Sequence, residues 1–171
     1  MFETTKNGRI ALIFVILMAP VFAGVSLTAG TDQEAAAQAI IAIEKEILTR
    51  WGKGDPFGYV DHAAPEVTAF DPPLEKKLKG IQALKDFLAP IKGQISVPRF
   101  EMQNLSVQVY GEVGVLTYNL VNYDKEDNVI SRWNSTEVYR YIEGKWRLAH
   151  SHWSLTQPHL IFGKKHEKKE S

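Results

Sequence analysis

The stretch EGKWRLAHSHWS, Glu143 to Ser154, gathers histidines and tryptophans near the end of the chain. His150 and His152 are two apart, so on a strand they share a face and could hold a metal with His62 as third ligand, or move a proton. No acidic residue stands at ligand spacing beside them. Trp146 and Leu148 have the same parity, which favours packing on that face and puts Trp153 opposite, with Ala149 and Ser151. We therefore assign no metal and retain His152 as a candidate proton donor. Glu137, in STEVYRY, is the second chemical feature. Alternation groups it with Trp133, Tyr139 and Tyr141, and a carboxyl among aromatics is either a pocket acid with a raised pKa or a residue of a subunit surface. Asp71, before Pro72 in TAFDPP, reads by itself as a turn residue.

These residues need elements to position them. Thr31 and Glu34 have capping-box spacing, which places a helix start at TDQE, and Ile40, Ile43, Ile47 and Trp51 follow on one helical face before Gly52 and Gly54. Asp55 and Pro56 open a short second helix that ends before Pro65. EVTAF is a short strand, and Gly80 opens a third helix with Ile81, Leu84, Phe87, Leu88 and Ile91 at a period of 3.6. Strands fill the second half. Phe100 and Met102 have one parity and Leu105, Val107 and Val109 the other, which predicts a β-bulge near Gln103 or Asn104. VGVLTYNLVNYD, VISRWNSTEVYRYI and KWRLAHSHWSL complete the strands. Helices first and hairpin-linked strands afterwards predict an α+β, cone-shaped fold. It has one strongly curved mixed or antiparallel sheet whose concave face is covered by three N-terminal helices, leaving room for a ligand.

The chain has 171 residues, 44% hydrophobic and 23% charged, with 20 basic and 20 acidic side chains. That suits one domain, and with no net field a nucleic-acid partner is not expected. Lys6 and Arg9 precede IALIFVILMAPVFAG, the layout of a secretory signal peptide over residues 1–29, cleaved after Ala23 or Ala29. Periplasmic or secreted export follows, without membrane association after cleavage. The alternative is a retained N-terminal membrane anchor, although the apolar run is shorter than the roughly 20 residues that span a bilayer. There is no cysteine, which excludes disulfides and a thiolate nucleophile. Residues 32–157 form the expected domain, and 158–171 a charged, solvated tail.

The order of a first helix, KGD, VTAFDP, KGIQALKDFL and GKWRLAHSHWS resembles the nuclear transport factor 2-like superfamily in its SnoaL-like branch. The same motifs resemble the association domain of calcium/calmodulin-dependent protein kinase and, more distantly, ketosteroid isomerase. The likeness spans about Ala36 to Gln157. It implies a cone-shaped fold and a homodimer through the sheet. The isomerase comparison implies Asp71 at the position of the general base and Glu137 at that of the oxyanion-stabilising acid, while the isomerase tyrosine of the first helix corresponds to Ile47. In the association-domain comparison the pocket arginines correspond to Asn119 and Glu137, and the pocket tyrosine is kept as Tyr59. Loss of those cations implies a neutral or cationic ligand rather than a carboxylate. The expectation is an exported domain binding a small, partly apolar molecule without a cofactor. Tyr59, Asn119 and Trp133 would contact the ligand, and Asp71, Glu137 and His152 would be catalytic if the molecule is turned over as in a cofactor-free isomerase, cyclase or hydrolase. A non-catalytic oligomerisation module is the other class, since this fold hosts unrelated functions.

Overall fold

A computed structural model describes residues 25–156, with side chains from residue 32. The expected leader up to residue 24 and the expected tail lie outside the described residues. Three helices, α1 (Val25–Gly52), α2 (Gly58–His62) and α3 (Ile81–Leu88), accompany six strands. These are β1 (Ala63–Phe70), β2 (Leu78–Lys79), β3 (Arg99–Tyr110), β4 (Val113–Tyr123), β5 (Val129–Ile142) and β6 (Lys145–Leu155). They form one mixed sheet in the order β2-β1-β6-β5-β4-β3, with β1 and β6 parallel and the other pairs antiparallel. The sheet is curved and not closed, and the helices pack on its concave face as expected. Among the described residues no helix is long and apolar enough to cross a membrane.

Two expectations about the helices need correction. Thr31 does not start α1, which runs continuously from Val25; no proline interrupts the segment before Thr31, so helical hydrogen bonding extends through the supposed cap. The second helix is shorter than expected, and β1 begins at Ala63 rather than Glu66. Asp55 serves the turn before it, its Oδ1 accepting the Phe57 N–H at 3.1 Å.

The strands follow their turns. Glu143 and Gly144 both have positive φ, 50° and 78°, the backbone needed for a two-residue hairpin whose twist matches its strands. In β3 the pairing with β4 shifts between Gln103 and Ser106, and Asn104 sits at φ 52°, so the bulge lies where the parity change put it.

Ile40, Ile47 and Leu48 of α1, Leu84 and Leu88 of α3, and Leu116, Leu120, Tyr139 and Leu148 of the sheet form the core. Close approach at the end of α1 depends on Gly52, because a Cβ there would stand 2.5 Å from the Val97 carbonyl oxygen. Gly52→Ala is expected to cost about 1–3 kcal/mol through this overlap, measured by urea denaturation; a loss of a few tenths would show that the Val97 loop moves aside.

Candidate functional site

The core does not fill the space between the helices and the sheet. A cavity of about 250 Å³ remains, walled by Trp51 and Tyr59 on the helical side, Leu84 and Phe87 of α3, and Trp133 and Trp153 of the sheet. The aromatic walls pack edge to face, Trp51 on Tyr59 at 5.8 Å and Trp133 on Trp153 at 6.3 Å between ring centroids. Such contacts fix the rings, so the cavity is preformed.

Among the described residues Asp71 supplies the one carboxyl in the wall, and no lysine, arginine or histidine lines it. Chain direction explains its placement: β1 ends at Phe70, and the following turn is closed by the Leu74 N–H on the Asp71 backbone carbonyl at 2.8 Å. The turn therefore uses the main chain and leaves the carboxyl free of any described hydrogen-bond partner. Half-buried and unpaired, it loses hydration without compensation, which raises its pKa from 3.8 to about 6.

Beneath the cavity floor lies a second layer of polar groups. Glu137 is fully buried, and its Oε1 accepts the Ser135 hydroxyl at 2.9 Å and the Ser151 hydroxyl at 3.3 Å. Its Oε2 has no partner among the described residues. Burial, followed by repulsion from Glu44, pushes Glu137 well above the carboxylate range. Glu44 of α1 is equally buried, but the Tyr118 hydroxyl donates to its Oε1 at 2.6 Å and the Tyr139 hydroxyl to its Oε2. Burial raises the Glu44 pKa while both phenols oppose the rise. Two donors on separate oxygens solvate an anion, whereas an orphan oxygen suits a protonated acid. In this pair the proton belongs on Glu137, and Glu44 ionises first.

Residues 42–158 match the SnoaL-like domain. The chain belongs to the SnoaL-like domain family. A putative ketosteroid isomerase from Parabacteroides distasonis ATCC 8503 is 36% identical, with 70% of this chain and 86% of that chain covered and a TM-score of 0.62. An NTF2-like protein of unknown function from Pseudomonas putida KT2440 is 24% identical over 71% and 87% of the two chains, with a TM-score of 0.63. The C. elegans CaMKII association domain, at 19% identity, 72% and 98% coverage and a TM-score of 0.59, shares the fold. No curated protein matches the chain significantly.

In this SnoaL-like domain Asp71, Tyr59 and Trp133 line the cavity, and Glu137 reaches it only through Ser151. Asn119 and His152 are placed elsewhere. Asn119 points to the outer face of the sheet, accepting from Asn104 Nδ2 and donating to Asn134 Oδ1, each at 2.8 Å. Its neighbours Tyr118 and Leu120 occupy the inner face, so the correspondence with a pocket arginine fails by one position.

The parity assigned to the last strand also needs correction. Val138 pairs with His150 and Tyr139 with Leu148, which leaves Ala149 as a bulge. Trp146 and Leu148 therefore face inward together with Ser151 and Trp153, while His150 and His152 face outward. His152 is exposed and packs edge to face with Phe70 at 5.8 Å. His150 Nδ1 lies 2.8 Å from Thr68 Oγ1, and His62 pairs instead with Glu46 at 3.3 Å, so the three histidines do not converge.

Sequence reasoning missed Glu44. Its signal was available: position 44 falls on the same helical face as Ile40, Ile47 and Trp51, so a charged residue interrupts the buried stripe. Ser131 and Ser151 were also missed, because serines on strands carry no distinctive spacing.

Proposed function

We propose that this SnoaL-like domain binds a small, mostly apolar molecule that carries no negative charge. One observation supports this most: the aromatic cavity contains a carboxyl, further acids lie behind it, and no cation lines the wall among the described residues. An anion would meet repulsion without a counter-charge, whereas a neutral compound loses little on entry and a cationic one would offset its desolvation by pairing with ionised Asp71. Mass spectrometry of small molecules carried by the purified full chain tests the reading. A non-anionic compound should accompany the wild type and be lost from Ala69→Leu, which fills part of the cavity. Identical extracts from both proteins would refute it.

A second reading, proton transfer on the bound molecule, is favoured by the Asp71 pKa of about 6, close to the value that a general base needs near neutrality. It accords with the description of the Parabacteroides relative as a putative ketosteroid isomerase. Asp71→Asn is then expected to slow turnover of the captured compound by about 10²–10⁴-fold. Unchanged turnover would remove Asp71 from the chemistry. Export through residues 1–29 and homodimerisation through the sheet belong to the same proposal. They are tested by N-terminal mass analysis of the secreted protein and by light scattering, where a monomer at micromolar concentration would contradict the dimer.

A further inference from the structure

Ser131 stands in the cavity wall with Asn122 and Trp133 beside it. Asn122 and Ser131 face each other across β4 and β5, at the point where pairing slips before Tyr123 and Val129. Trp133 follows two residues later on the same face of β5. Asn122 Nδ2–H and Trp133 Nε1–H both donate to Ser131 Oγ, each at 3.0 Å.

A serine hydroxyl has two lone pairs and one proton. Both lone pairs are occupied here, so the proton is the remaining capacity, and no described side chain or carbonyl accepts it. The two incoming donors also polarise the hydroxyl and strengthen it as a donor. Asn122 is buried and Trp133 is held by its edge-to-face contact with Trp153, which fixes the direction of both donors.

We propose that Ser131 is the ligand-orienting donor of the cavity, and that its occupant presents an uncharged, carbonyl-type oxygen to this hydroxyl. The inference rests on the small-molecule reading above and narrows it. A carboxylate would also accept the bond, but it would share an uncompensated cavity with Asp71. An apolar compound without an acceptor leaves the Ser131 proton unpaired once water is expelled, which is the basis of discrimination.

The test uses the full chain and two probes of nearly the same shape, acetophenone and α-methylstyrene, in which C=CH₂ replaces C=O. The indole N–H signals of Trp51, Trp133 and Trp153 report the cavity, while Trp146, which lies outside it, serves as the internal control. Both probes should shift the three cavity signals. Ser131→Ala should weaken acetophenone by about five- to tenfold and leave α-methylstyrene within about twofold. Asn122→Asp should do the same while keeping the hydroxyl, because its carboxylate turns the Ser131 proton away from the cavity. Equal weakening of both probes by Ser131→Ala, or acetophenone binding unaffected by Asn122→Asp, would overturn the assignment and leave the cavity reading intact. Failure of both probes to shift the wild-type cavity signals would overturn the cavity reading and this inference together.

Discussion

Glu137→Gln is expected to fold as the wild type does and to be more stable, with an advantage that grows as the pH rises above about 5. The buried acid is neutral in the fold, whereas in the unfolded chain it ionises near its ordinary value of 4.5. Between the two pKa values the folded state holds a proton that the unfolded state lacks. Unfolding stability then falls with rising pH, by about 1.4 kcal/mol per pH unit for one such group. The stabilising contribution is thus complete at low pH and lost on approach to the folded pKa. Glutamine cannot ionise in either state, and its Oε1 can still accept from Ser135 and Ser151. Urea denaturation across pH 5 to 8 should give a falling profile for the wild type and a flatter one for the variant. Parallel profiles would show that Glu137 titrates alike in both states.

The largest loss of stability is expected from Glu44→Ala, roughly 3 kcal/mol or more. Truncation leaves the Tyr118 and Tyr139 hydroxyls without their acceptor inside the core and opens a void between α1 and the sheet. Glu44→Gln should cost less, because one carbonyl oxygen still accepts one phenol. Denaturation midpoints in the order wild type, Gln, Ala would fit this account. Equal midpoints for all three would mean that water already satisfies the phenols. Removing Glu44 also removes repulsion on Glu137, so the remaining acid should titrate closer to its ordinary range.

Much of the fold was legible because its turns and alternation are local. EG between KWRLAHSHWSL and the preceding strand, and the parity change at Gln103 and Asn104, have direct backbone counterparts. In β6, Trp146 and Leu148 on one count and Trp153 on the other mark a further bulge at Ala149. That single extra residue moved His152 to the outer face. Asn119 was misplaced for a related reason, since β4 is apolar on both faces and alternation there does not fix which side meets the helices. Asp71 was legible through resemblance, but its freedom from the turn depends on a main-chain hydrogen bond that no spacing reveals. Glu44 was hidden because its partners, Tyr118 and Tyr139, come from distant strands.

The account centres on a cavity that is dry enough to hold Asp71 near neutrality while leaving it unpaired. A carbon-detected NMR titration of aspartate side-chain carboxyls in the full chain, with Asp71→Asn to assign the signal, measures this directly. The account predicts a midpoint of about 6 for Asp71. A midpoint at the ordinary value of 3.8 would contradict it, because the carboxyl would then be fully hydrated and the cavity open to water.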